Sequence, residues 1–454
     1  MAISFDETFD KVKECFQEES VITSLIPKLK AVTIIRDVYG KIRLFLDLKD
    51  EIQQQQVETS PLGQFLSQKL DEYYGQDIWL SKEKLYENLV PTIVAERDEA
   101  PWDDSSLPLR WYILERHIAK QSWTSTNIGS LPWDNDSVSS GAKPAIISFF
   151  SFKGGVGRTS SLVATALTLA RNGHRVAIVD LDLEAPGLAT IFSPDDVSNS
   201  GVIDYLLEKK IQGNDWSLSI LSISESDLLG DNGDTIHLFP AGTVDKNYLE
   251  KLARLDFQNL VNGELQDSMK NMLNELESAV TPLDFILLDA RAGFHDIGGL
   301  AITNLSHGVV IFGTQSRQSW AGLTHVIRHL APSGSDDSPS LILVHSMAPA
   351  LGSGGREREL TQFRERAYST FQENYYAEND DVPNSNDTEA PFYPVVVPYQ
   401  DNLRGDIALF SRDSTPEESD RLSSLVEIMT NSPYQNIAKK LCTAFGREFQ
   451  TNNG

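Results

Sequence analysis

The sequence predicts an α/β protein: a doubly wound, mainly parallel sheet domain preceded by a small mixed α/β unit. Three observations carry this. From Ala145 onward, short apolar runs of strand length alternate with stretches of helical spacing. Several of those runs are apolar throughout, as strands covered on both faces must be. Ahead of them, residues 125–144 (STNIGSLPWDNDSVSSGAKP) are rich in Ser, Gly, Asn, Asp and Pro and have no periodicity, which marks a flexible linker. The expected domains are therefore 1–124, the linker 125–144, and 145–449.

In the N-terminal unit, AVTIIRDVYGKIRLFLDL (31–48) reads as two strands about a tight turn at Tyr39-Gly40. SPLGQFLSQKLDEYYG (60–75) reads as a helix, capped by Ser60, opened by Pro61 and stopped at Gly75. LPLRWYILERHIAKQSW (107–123) reads as a second, amphipathic helix. The unit holds no catalytic motif, and His117 is read as a helix-surface residue.

In the larger part the expected strands are 145–152, 175–182, 235–241, 284–290, 308–314, 341–346 and 393–398. Helical stretches such as SSLVATALTLARNG and YLEKLARLDFQNLV lie between them. Two polar insertions, 333–340 and the acidic 377–391, read as mobile surface loops; a partner-docking strip is the alternative for the second. The last segment, NIAKKLCTAFGREF (436–449), puts Ile437, Leu441, Phe445 and Phe449 at four-residue spacing. A final helix packed on the sheet is preferred to a membrane-seeking one, because the stripe is short and Gly446 interrupts it.

Composition narrows the function classes. The 454 residues carry 65 acidic against 39 basic side chains, a net charge of −26, so bulk non-specific DNA binding is disfavoured. Cys15 and Cys442 are the two cysteines; they form neither a metal-spaced cluster nor a disulfide framework, which suits a reducing cytoplasm. The first residues, MAISFDETFDKV, have no apolar core of a secretory signal, and no apolar run approaches membrane-spanning length, so a membrane is not an expected partner.

The strongest motif is FKGGVGRTS (152–160), directly after one apolar strand and directly before a helix. Glycines 154, 155 and 157 allow backbone N–H groups to turn around a phosphate chain, and the helix start adds its positive dipole end. Val156 and Ser160 complete the lining, and the Thr159 hydroxyl suits Mg²⁺. Two further strand ends are acidic. VDLDLEAPG (179–187) carries Asp180 and Asp182 on one side of an extended backbone. LDFILLDARAG (283–293) ends in Asp289, with Gly293 four residues on. Arg291 reads equally as a phosphate contact or as a partner of Asp296; His295 reads as a surface or structural residue.

The usual phosphate loop is GxxxxGK[ST]; this one has Phe152 at the first glycine, Arg158 at the lysine, and an extra Lys153. With that early lysine the loop resembles the deviant phosphate loops of the ParA/MinD-type ATPases, KGGxGK[ST], over roughly residues 145–445. The resemblance implies ATP and Mg²⁺ as ligands and an ATP-dependent homodimer in which Lys153 reaches the partner's nucleotide. It also implies Arg158 on the β/γ-phosphates, Thr159, Asp180 and Asp289 at the metal, Asp182 at the attacking water, and Gly293 as sensor of the γ-phosphate. Gln315, Ser316, Gln318 and Ser319 fall where dimer contacts occur. His345-Ser346 and Pro398-Tyr399-Gln400 fall where the base is contacted, though the frequent base-reading Asn is absent. KGGVGRT with DARAG also resembles a branch found in bacterial gene clusters for signalling and anti-phage defence.

The expected function is a cytoplasmic ATP-binding switch with slow Mg²⁺-dependent hydrolysis, whose N-terminal unit selects a protein effector. The alternatives are a partition or positioning ATPase acting on DNA or membrane, and a scaffold that binds nucleotide without hydrolysing it.

Overall fold

The computed structural model describes residues 3–49, 61–81, 88–100, 109–116, 119–124, 130–193, 200–213, 217–262, 265–332, 338–378, 380–405, 407–413 and 415–450. The chain divides into two compact units, Met1–Ala119 and Lys120–Gly454.

In the first unit, strands β1 (Leu29–Arg36), β2 (Ile42–Leu48), β3 (Tyr74–Leu80), β4 (Asp98–Glu99) and β5 (Arg110–Glu115) form one sheet in the order β3-β2-β1-β5-β4. The β1–β2 turn forms as expected. The Asp37 carboxylate accepts from the amides of Tyr39 and Lys41, at 3.0 and 2.9 Å, and Gly40 takes the left-handed conformation at φ 77°. Helices α1 (Thr8–Phe16) and α2 (Pro61–Leu70) bury Val12, Phe16, Leu62 and Leu66 in one core with Val32 and Leu44. A smaller cluster, Ile35, Phe45, Ile93 and Leu114, forms a separate core.

The helix expected over 107–123 is not there. Arg110–Glu115 is strand β5, paired in parallel with β1 from Ala31↔Arg110 to Arg36↔Glu115. The run Trp-Tyr-Ile is aromatic and β-branched, and the open edge of β1 gives it ladder partners that no local periodicity reveals. His117 and Ser60 lie outside the described residues.

The second unit contains an eight-stranded sheet. Its strands are β6 (Ala145–Ser151), β7 (Val176–Leu181), β8 (Leu221–Ile223), β9 (Ile236–Phe239), β10 (Phe285–Ala290), β11 (Gly308–Gly313), β12 (Ser340–Ala348) and β13 (Val395–Pro398). The order is β13-β12-β11-β6-β10-β7-β9-β8. All neighbours are parallel except the edge strand β8, which the sequence reading does not mark. Every residue of β6, β7, β10 and β11 is buried, as an apolar run in a doubly covered sheet requires. Helix α3 (Arg158–Arg171) is apolar on most of its circumference and buried over most of its length. Further along lie α4 (Arg317–His329) and the last helix, α5 (Ser432–Ala444). In α5, Tyr434, Ile437, Ala438 and Leu441 are buried in the sheet core, which is the packing role expected of it.

Of the stretches expected to be loose, the linker is packed where described, whereas 377–391 is a largely exposed surface segment. The unit boundary falls at Ala119/Lys120, and Gln121–Thr124 is a helical turn of the second unit. In the stretch read as linker, Trp133 is buried, donates its Nε1–H to the Pro144 carbonyl at 2.8 Å and stacks on His307. Asp134 caps the turn Asn135–Ser139 by accepting from Ser137 N at 2.7 Å. The described part of 377–391 is a series of turns, with Asp380, Asn384 and Asp387 side chains each accepting a nearby backbone N–H. Most of the other insertion, 333–337, lies outside the described residues.

Strand order reverses around β6, since the chain reaches β7 on one side of it and β11 on the other. The carboxyl ends of β6, β7 and β10 meet at that point, where open α/β sheets place their ligands.

Candidate nucleotide site

Residues 152–157 join β6 to α3. Gly155 and Gly157 have φ of 72° and 79°, a region that side chains with a Cβ avoid. Among the described residues, no backbone N–H from Gly154 to Ser160 is bonded to a protein acceptor. The loop and the first turn of α3 thus present a row of unpaired donors at a helix N-terminus, the arrangement that suits an anion. Phe152, at odds with the usual first glycine, has a packing explanation. Its ring lies over Gly322 of α4, where a Cβ would come within 1.9 Å of Phe152 Cγ. Lys153 is exposed at the rim.

Arg158 turns inward and is only 7 % exposed. Its Nε donates to Asp289 Oδ1 at 2.6 Å, and its Nη2 to Asp182 Oδ2 at 2.9 Å. Thr159 Oγ1 donates to the other Asp289 oxygen at 2.7 Å. Burial disfavours the charged guanidinium, but the two carboxylates outweigh it and raise the Arg158 pKa further. Asp289 is pushed upward, chiefly by burial.

Asp180 sits opposite Asp289 in the β7–β10 register. The geometry differs from that of a metal-facing carboxylate: Oδ1 accepts from Asp182 N, and Oδ2 from Gly187 N and Leu188 N, at 3.1 to 3.2 Å. It is an anchor for the 182–188 loop. Burial, then the neighbouring Asp289 charge, push its carboxyl up to about 7.

The loop after β10 brings in residues the sequence reading left open or missed. Arg291 pairs with Asp182 at 3.5 Å and with Glu184, and Glu184 also takes His295 Nε2 at 2.5 Å. Burial would raise the Glu184 carboxyl; the His295 bond and the Arg291 charge win and hold it below its ordinary range. Asp296, one of the two partners considered for Arg291, is paired instead with Lys120 at 3.3 Å. Gly293 has φ 80° and donates its N–H to Ser151 O at 3.1 Å, next to the phosphate loop. Trp123 then covers this loop: its Nε1–H donates to His295 O at 2.8 Å, and its ring meets Phe294 edge-on at 5.0 Å. Glu184 and Trp123 carry no motif; only the fold brings them to the loop.

Beside the phosphate loop opens a cleft of about 320 Å³, lined by Gly155, Gly157, Ser160, Pro398, Tyr399 and Arg404 among others. Pro398 thus lines the cleft beside the loop. His345 does not. It is buried, stacked on Phe363 at 3.9 Å, and pushed down to about 4 by burial, so it belongs to the core. Ser316 and Ser319 are engaged in capping α4. Thr159 and Asp289 are hard oxygen donors on one spot and fit a magnesium ion that completes its shell with phosphate and water. Among the described residues, no cluster of three or more His, Cys, Asp or Glu could hold a metal without such help.

Residues 143–225 match the family model described as ParA, NUBPL iron-transfer P-loop NTPase. The chain is similar to the cytosolic Fe-S cluster assembly factor CFD1 of Saccharomyces cerevisiae, with 37 % identity over 92 residues, 20 % of this chain and 31 % of the relative. The similar protein from Candida albicans is 29 % identical over 163 residues, 33 % of this chain and 47 % of the relative. The chain therefore spans less than half the length of these curated relatives. Among solved structures, pNOB8 ParA bound to nonspecific DNA aligns over 66 % of this chain and 99 % of its own, with 16 % identity and a TM-score of 0.42. The cell division ATPase MinD of Pyrococcus furiosus aligns over 63 % and 98 %, with 18 % identity and a TM-score of 0.37. The family match thus falls on the loop, on α3, and on Asp180 and Asp182 at and just after the end of β7, within the second unit.

Proposed function

We propose that the protein is an ATP-binding switch that hydrolyses ATP slowly with Mg²⁺, and that bound nucleotide closes a homodimer or an effector contact. The observation that supports this best is the convergence of Arg158, Thr159, Asp182 and Asp289 beside a loop of unpaired N–H groups. In this reading the loop amides and Arg158 take the β- and γ-phosphates, and arginine's fork suits phosphate oxygens. Asp182, freed from Arg158 by the incoming charge, orients the attacking water. Positioning and charge, rather than covalent chemistry, supply the acceleration. Thr159 and Asp289 would hold Mg²⁺, which when bound neutralises phosphate charge. Asp180 fixes the 182–188 loop from behind. Lys153, exposed at the rim, is the residue for a trans contact with a second copy's nucleotide. Pro398 and its cleft would receive the base.

The N-terminal unit is proposed as the adaptor that chooses an effector, with bacterial signalling or anti-phage defence in the cytoplasm as the setting, on the strength of KGGVGRT and DARAG. Among the described residues no helix is long and apolar enough to cross a membrane. An iron–sulfur carrier role fits poorly. Cluster ligation takes several thiolates, whereas Cys15 and Cys442 are both buried with thiols pushed up to about 12, chiefly by burial. A scaffold that binds nucleotide without turnover is the second reading, favoured by the double engagement of Arg158 with Asp182 and Asp289.

The test is calorimetry with MgATP, followed by phosphate release and mass by light scattering with and without ATP. The expected result is saturable binding, slow release and a nucleotide-dependent rise in mass. No heat at millimolar ATP would sink the proposal; binding without phosphate release would select the scaffold.

A further inference from the structure

Asp182 lies between two guanidinium groups. Arg158 Nη2 reaches one of its oxygens at 2.9 Å and Arg291 Nη1 the other at 3.5 Å. The two arginines come from different elements, the start of α3 and the turn after β10, and the carboxylate is the anion that joins them. Asp182 is largely buried, with 16 % of its side chain exposed, while Arg291 keeps 30 %. Glu184 holds Arg291 from the far side and is itself held by His295 at 2.5 Å.

We infer that Arg291 is a second phosphate-binding arginine, acting in cis at the terminal phosphate, and that Asp182 stands in for that anion when no nucleotide is bound. The inference rests on the nucleotide reading above. Its physical basis is exchange of like for like. A carboxylate and a phosphate offer the same oxygens to an arginine fork, and phosphate brings more charge. Arg158 already touches both Asp289 and Thr159, so the loop side of the carboxylate is the inner-phosphate side. Arg291, on the opposite side of Asp182, is then left for the outer one. Glu184 keeps the guanidinium from swinging into solvent as Asp182 lets go; it positions Arg291 and touches no phosphate itself.

A residue at the terminal phosphate separates ATP from ADP, whereas a merely structural arginine does not. The experiment measures Kd for the non-hydrolysable analogue AMP-PNP and for ADP, with Mg²⁺, in wild type, Arg291→Gln and Arg291→Lys. Arg291→Gln is expected to weaken AMP-PNP about tenfold, equivalent to about 1.4 kcal/mol, and to leave ADP within about twofold. Arg291→Lys, which keeps the charge and the Glu184 pair, is expected to recover part of the difference. An unchanged AMP-PNP to ADP ratio in both variants would overturn the inference and leave the functional reading standing. Wild-type protein that binds neither nucleotide would overturn the functional reading, and the inference with it.

Discussion

Strands β7 and β10 carry an arginine–carboxylate pairing at each end, and the two pairings differ in kind. At the entry end, Arg175 forks onto Asp284: Nη2 to Oδ1 at 2.8 Å, Nε to Oδ2 at 3.0 Å, and the Arg175 amide to Oδ2 at 2.9 Å. That is a closed, two-toothed pair between one cation and one anion. At the exit end Arg158 divides itself between Asp289 and Asp182, and Thr159 takes the remaining Asp289 oxygen. The first arrangement has no capacity for a third party. The second holds more charge than it neutralises and sits beside unpaired loop amides. The same residue types thus act as a staple at one end of two strands and, in the function proposed above, as a binding site at the other; partner number, not residue identity, separates the roles.

The largest effect is expected at the exit end. Asp289→Asn should lower hydrolysis by about 100-fold or more, as loss of a preorganised charge at a phosphoryl site does. Phosphate release measures it, and a variant that hydrolyses like wild type would erase the distinction between the ends. Asp180→Ala comes next, and its effect is on stability. Three loop amides lose their acceptor, at about 1 kcal/mol each, so urea unfolding should show a loss of about 3 kcal/mol. A smaller loss, with hydrolysis abolished, would make Asp180 part of the chemistry instead. Lys153→Ala should spare ATP binding but cut hydrolysis and mass increase about tenfold; equal rates in wild type and variant would remove the trans role.

The smallest effect belongs to the entry end. Asp284→Asn should cost about 1 kcal/mol and leave nucleotide affinity alone. It also has a pH signature. Burial would raise the Asp284 carboxyl, but the bonds from Arg175 prevail and hold it below the ordinary carboxylate range. A depressed folded-state value stabilises above the unfolded value, about 3.9, and that stability is lost as pH falls through the folded one. The variant's stability should therefore fall less steeply than wild type below about pH 4. Parallel acid transitions would mean that the pair contributes little.

How much of this was legible in the sequence depends on the range of the signal. The phosphate loop, Asp182, Asp289 and seven strands of the large sheet are marked by short local patterns: glycine spacing, an apolar run, an acid at its end. Strand β5 reads locally as a helix because its partner, β1, lies far away in sequence. The packing of Trp133 on His307, 174 residues later, left no trace in composition, so a buried corner looked like a linker. The link from Glu184 to Arg291 and His295 joins two loops that only adjacent strands bring together. Asp180 was visible as a carboxylate, but its attachment to backbone amides was not, since main-chain donors have no letter in a sequence.

The indole of Trp123 is bonded to the His295 carbonyl and seated against Phe294, in the turn that follows Asp289. The polypeptide therefore carries a built-in optical label at its most informative address. Its ultraviolet emission, isolated by subtracting the signal of a Trp123→Phe protein, should follow the proposed nucleotide binding in real time, with no dye attached and no tag engineered.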